Sequence, residues 1–383
     1  MDLFRITVAQ TPSGADKPSG SCHLKVQHGS IGTMSEITAD AVQELLQMNK
    51  SIKWYMEEFV IHLPFQEPRA QEVSASLARY AALLIEALRL DLGAPDRNTL
   101  HIVIQVVEEA VILPDDCIEI GALRWEVLQN VHLWPGEAKP ASVSVVRLLG
   151  VPARQVPVVS ADRPESASTF NILALTARPR SVDDVPHRLI TKSIYDVVDT
   201  ANTKVDACGG STAERRTTLT IVRPGSLDAL KRELNKKQRY DVVHLDLHGK
   251  VEDHKAYALF INEIQRGAHM VPAEDLASLL SSHGIHTVIL NACQSAVEGE
   301  GPAANLAKAL IQHGIQIAIA MAYKVLDVTA NLFVCSLYDQ LLRFNQSPLL
   351  AVQAARQCLM NKRTKRTSYL TEVPLDDYLV PSV

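Results

Sequence analysis

Two short segments carry side chains able to act together in covalent chemistry. One is Tyr240-Asp-Val-Val-His-Leu-Asp-Leu-His-Gly249, ending on His248 and Gly249; the other is Val288-Ile-Leu-Asn-Ala-Cys-Gln-Ser-Ala296, centred on Cys293. Each opens as a Val/Ile/Leu run, so each reads as a buried strand with the chemistry at its end. A free thiol, with an unperturbed pKa of about 8.5, is mostly protonated near neutral pH. An imidazole beside it can accept that proton or stabilise the thiolate, and later protonate a leaving amine. Gly249 has no side chain, so its backbone N–H can approach a substrate carbonyl and, with the N–H of Cys293, form an oxyanion hole. Alone, a cysteine at a strand end is usually a core residue and a histidine a satisfied structural group. Both at neighbouring strand ends, 45 residues apart, make catalysis a serious reading. Asp246 points to the same side of an extended strand as His248. It either orients the imidazole or sits in a structural hydrogen bond, and it also counts as a substrate-binding candidate.

Other chemistries fit less well. His244, Asp246, His248 and His254 make a histidine-rich cluster, and His283 with His286 an H-x-x-H pair. Along a strand His244 and His248 would stand about 13 Å apart, too far to share one ion. Neither a Walker-type nor a dinucleotide-type glycine loop occurs. Cys22, Cys117, Cys208, Cys293, Cys335 and Cys358 contain no C-x-x-C pair, so neither a zinc site nor a disulfide framework is indicated. No metal and no organic cofactor is expected.

The elements that must position these residues follow from the hydrophobic pattern. Phe4 to Val8 and His23 to Val26 read as a loop-linked strand pair, and 40–48 and 71–90 as amphipathic helices. Leu100 to Val107 and Ser142 to Leu149 are further strands, with a helix end over Leu123 to Val131. Val151 to Ser168 has a linker composition. Beyond it strands (171–176, 218–222, 241–247, 286–291, 316–321) alternate with helices (188–198, 227–237, 273–280, 303–313). A short hairpin-like excursion covers 256–262, and two helices (329–344, 348–361) close the chain. Ser226 is the expected cap of the helix from Leu227. This pattern predicts an α/β, three-layer domain with a mostly parallel central sheet over 169–383, preceded by an α+β region over 1–165.

With 383 residues, 47% of them hydrophobic, the chain can bury a large core, and a net charge of −5 argues against a nucleic-acid partner. The one basic run, Lys362 to Arg366, reads as a solvated turn after a helix. No signal peptide and no apolar run of membrane-spanning length is visible. A cytoplasmic location is expected.

Tyr240–Gly249 resembles the histidine motif of the CHAT family, caspase-like peptidases often fused to TPR repeats, and Val288–Ala296 resembles its cysteine motif. Leu306–Gly314, Ala320–Asp327, Phe333–Leu341 and Ala351–Arg356 agree with it, and Gly121–Leu128 looks like the Trp-Glu element that precedes the dyad. The likeness covers about 170–383 well and 1–165 thinly, and is closest to fungal-type members. It implies kinship with caspases, separase and legumain, with His248 as general acid–base, Cys293 as nucleophile and Gly249 in the oxyanion hole. Peptide hydrolysis would run through a thioester that water cleaves. Many such relatives cut after a basic residue, which a carboxylate can hold through two hydrogen bonds. Asp327 follows the strand after the nucleophile, where that pocket wall should lie; it reads equally well as the cap of the helix from Thr329. The resemblance further implies regulated proteolysis of a protein substrate in cell-death or defence signalling, under an activating partner or attached regulatory domain. Relatives often continue past the last residues here, which suggests a short form. A non-catalytic caspase-like scaffold or signalling module is the alternative. Residues 1–165 would be an inactive protease-like half or an unrelated cap.

Overall fold

A computed structural model describes residues 3–11, 21–59, 67–89, 100–108, 120–136, 139–149, 169–179, 189–207, 215–236, 238–253, 255–291, 302–323, 326–366 and 372–383. The chain forms two compact units, one of residues 1–152 with 373–379, the other of 153–372 with 380–383. The expected linker over 151–168 lies outside the described residues.

In the first unit, β1 (Leu3–Thr11), β2 (Cys22–His28), β3 (Ile31–Ile37), β4 (His101–Glu108) and β5 (Ser142–Leu149) form a sheet of order β3-β2-β1-β4-β5. β1 runs antiparallel to β2 and parallel to β4, and β4 parallel to β5. Alternation sets the register: Ile102, Ile104 and Val106 of β4 are all buried. The helices are α1 (Ala39–Glu57) and α2 (Glu67–Leu88). α1 runs nine residues past the expected end because Ile52, Tyr55 and Met56 continue its buried face. β3 was not expected. It is an edge strand that turns Ile31 and Met34 outward and buries Ser35, whose hydroxyl donates to Ala87 O, so its polarity runs against the usual pattern.

The expected helix end over 123–131 is instead a pair of 3₁₀ turns, Trp125–Gln129 and Val131–Leu133. Arg147 explains the difference. Its guanidinium donates to Leu123 O (2.8 Å) and Gly121 O (2.7 Å), claiming carbonyls that an α-helix would use for itself. It also donates to both oxygens of Glu126 (2.8 and 2.9 Å) and to Glu108 (3.2 Å). Burial alone would lower the arginine's pKa; Glu126 and then Glu108 outweigh it and hold it above the ordinary value. The Trp-Glu element is thus a packed staple of the first unit. The returning segment 373–379 is tied to the same unit: Asp376 Oδ2 accepts from Ser74 Oγ at 2.8 Å, and Tyr55 OH reaches Pro374 O at 3.1 Å.

The second unit contains β6 (Thr169–Thr176), α3 (Leu189–Ala207), β7 (Arg216–Val222), α4 (Leu227–Leu234), β8 (Val242–Asp246), β9 (His248–Glu252), β10 (Lys255–Ile261) and β11 (Ala268–Pro272). These are followed by α5 (Ala273–Ser282), β12 (Thr287–Asn291), α6 (Pro302–Gln312), β13 (Ile317–Met321), α7 (Asp327–Leu342) and α8 (Pro348–Asn361). The central sheet has the order β13-β12-β8-β6-β7, all parallel. The two-residue strand Pro381–Ser382 adds antiparallel to β13, and the buried Arg356 of α8 holds it by donating twice to Pro381 O. Ser226 caps α4 as expected, its Oγ accepting from Ala229 N at 3.0 Å. The hairpin-like excursion is a three-stranded antiparallel sheet, β9-β10-β11.

Alternation along the strands builds two cores. Leu173 and Leu175 of β6, Val243 and Leu245 of β8, and Val288 and Leu290 of β12 pack with Leu230, Leu276 and Leu310 of α4, α5 and α6. On the opposite face Thr176 Oγ1 lies 3.1 Å from Thr191 of α3, and His244 Nδ1 lies 3.1 Å from Tyr338 OH of α7. α7 packs on both α3 and α8. The unit is therefore a three-layer α/β sandwich around a mostly parallel sheet, as the hydrophobic pattern predicts. No helix among the described residues is long and apolar enough to cross a membrane.

Candidate active site

β6, β8 and β12 are consecutive neighbours in the parallel sheet, so their carboxyl ends share one edge, where sites of such sheets gather. The chain leaves β8 through Leu247, whose side chain is anchored in the core, and enters β9 at His248. His248 is 4% exposed. It pairs with Leu259 of β10, and the buried Gly249 with Ala258. On β12 the register partner of Asp246 is Asn291, the last described residue before the cysteine motif. Cys293 falls within 292–301, outside the described residues, as does His254.

Asp246 is 2% exposed and sits at the centre of a side-chain network joining all three strands. Arg178, two residues past β6, donates from Nη2 to Asp246 Oδ1 at 2.5 Å and from Nη1 to the backbone O of Asp246 at 3.0 Å. Asn291 Nδ2 donates to the same Oδ1 at 3.2 Å. That commitment fixes the amide, and leaves Asn291 Oδ1 a buried acceptor without a partner. Such groups are few in folded proteins. The β6 end is braced from below: a Cβ at Gly225 would lie 2.1 Å from Thr176 O and 2.7 Å from Ala177 Cα, so only glycine lets the two backbones approach.

One turn of alternation earlier, His244 is buried among apolar groups. Burial pushes its pKa down to about 3, so it is a neutral ring stacked on Tyr338, with centroids 5.9 Å apart. Among the described residues no group of three or more His, Cys, Asp or Glu is placed to hold a metal ion. Asp327 is the first residue of α7, past the carboxyl end of β13, and half-buried. It is not the helix cap: Leu326 takes that position, with no side-chain bond, because the helix begins two residues before Thr329.

Sequence reasoning missed Arg178 and Asn291. Asn291 was findable: it precedes Cys293 by two positions, as Asp246 precedes His248. Arg178 had only its position after β6 to mark it.

The parallel sheet clothed by helices, with a buried histidine just beyond its central strand, defines the caspase-like class. Within it, a model of the CHAT domain matches residues 77–372, and the chain belongs to that family, which is related to the caspase-like cysteine peptidases. The match begins in α2, so it takes in part of the first unit as well as the second. No curated protein matches the chain.

Proposed function

We propose that the chain is a cysteine endopeptidase in which His248 is the general acid–base and Cys293 the nucleophile. One observation carries the reading. β8 and β12 pair in parallel so that Asp246 meets Asn291, a separation of 45 positions, and His248 and Cys293 are separated by the same 45. The thiolate would attack the scissile carbonyl, the backbone N–H groups of Gly249 and Cys293 would hold the oxyanion, and His248 would protonate the departing amine. Water, activated by the same imidazole, then cleaves the thioester.

Asp246 is already paired with Arg178, so Asp327 is the better of the two acids for a basic side chain of the substrate. The near-complete burial of His248 supports regulation: a protein activator or attached domain opens the site for a protein substrate in cytoplasmic cell-death or defence signalling. The same burial is what favours the rival, a non-catalytic scaffold. Peptide-library profiling of the wild type beside Cys293→Ala, with and without an active-site electrophile, separates them. Cleavage by the first alone and labelling at Cys293 support the peptidase. Absence of both, in a folded protein, favours the scaffold over a peptidase that is active without a partner.

A further inference from the structure

We infer that Arg178 and Asn291 are positioning residues for the His248–Cys293 pair, acting through Asp246; this rests on the peptidase reading. A buried carboxylate must be paired, and the chain pairs this one in a way that does more than neutralise it. Arg178 binds both the side chain and the backbone oxygen of Asp246, and also Ala177 O at 3.1 Å, so one planar group ties the end of β6 to the end of β8. The Ala177 N–H donates to the same Asp246 backbone oxygen at 2.9 Å. Asn291 then extends the tie to β12 by donating from Nδ2 to the same Asp246 Oδ1. Two residues past Asp246 comes His248, and two past Asn291 comes Cys293. The tie joins the ends of β6, β8 and β12 directly before the chain turns into β9 at His248, so it fixes where that residue leaves the central sheet. A salt bridge serving stability alone needs neither the backbone contacts nor the amide on the neighbouring strand.

The test is the second-order rate of iodoacetamide alkylation at Cys293, mapped by mass spectrometry on the full chain at about pH 6.5, where an ordinary thiol is mostly protonated. The wild type should react at least about tenfold faster than His248→Ala. Arg178→Met and Asn291→Leu should each lose about tenfold. Arg178→Lys should recover part of that loss, because it keeps a cation beside Asp246 Oδ1. In the His248→Ala background Arg178→Met should change nothing further, since a residue acting through the dyad has no dyad to act on. A merely structural role would lower thermal stability and leave these rates and their non-additivity untouched, and that result overturns the inference while the peptidase reading stands. Should Arg178→Met fail to fold, Asn291→Leu and Arg178→Lys decide by the same rates. If the wild type already reacts no faster than His248→Ala, the peptidase reading falls and this inference with it.

Discussion

Replacing His244 with phenylalanine should flatten one component of the acid sensitivity of the second unit. The ring is buried, donates or accepts at Nδ1 only with Tyr338 OH, and leaves Nε2 without a partner. Desolvation is the cause of its low pKa: about 3 in the fold against an ordinary 6.5. Tyr338 stays protonated throughout, since burial pushes its own pKa up. The sign follows from proton counting. Between those two values the unfolded chain binds a proton at this site and the native chain does not, so stability rises with pH across the window. The contribution is complete above about pH 6.5 and is lost as pH falls towards 3. A tenfold difference in proton affinity is worth about 1.4 kcal/mol, so at pH 5 the unfolded form gains about 2 kcal/mol from this histidine alone. Phenylalanine keeps a flat ring against Tyr338 and removes the titration, at a pH-independent cost of about 1–3 kcal/mol for the buried Tyr338 hydroxyl left without a partner. Urea unfolding of both proteins at pH 8 and pH 5 reads the difference. The gap in favour of the wild type at pH 8 should narrow or reverse at pH 5, a swing of about 2 kcal/mol. Parallel pH dependences would refute the assignment of a neutral, solvent-excluded ring.

Two further expectations concern packing. Arg147→Met removes the guanidinium from the buried Glu126, the half-buried Glu108 and two backbone carbonyls, and should destabilise the first unit by about 3–5 kcal/mol in denaturant titration, with Glu126→Gln recovering part of it. Gly225→Ala drives a methyl onto the Thr176 carbonyl and should cost about 1–3 kcal/mol or more, whereas Gly267→Ala, where a Cβ meets nothing within 4 Å, should stay within about 0.5 kcal/mol in the same thermal scans.

The second unit was largely legible because its strands are doubly buried and its helices begin at readable signals. Ser226 and Ser347 both accept from the backbone three residues on, and Pro272 precedes α5 with Glu274 and Asp275 in the first turn. What escaped were features fixed by distant partners. β3 has no inward apolar alternation and exists because β2 offers it a ladder. The 3₁₀ turns over 125–133 depend on an arginine some twenty positions later. The return of 373–379 to the first unit rests on Tyr55 and Ser74, more than 300 positions earlier, and nothing in its own composition announces it. The site shows the same division. Asp246 ends β8 and His248 opens β9, both within one short local run, while Arg178 joins Asp246 only through the β6–β8 pairing.

β8 shows how one alternation serves both fold and chemistry. Val243 and Leu245 enter one core, which places His244 and Asp246 on the other face. Slipping the strand by a single position would drive an imidazole and a carboxylate into an aliphatic layer, a penalty far larger than the loss of any one contact. Val243 and Leu245 therefore fix the register, and the polar face inherits it. Along that face two polar groups meet burial in two ways: His244 sheds its charge and Asp246 pairs with Arg178, while His248 follows at the start of β9. A strand carrying His244 and Asp246 without the intervening apolar residues would be free to shift, and the pairing of Asp246 with Asn291 of β12 would be lost with it.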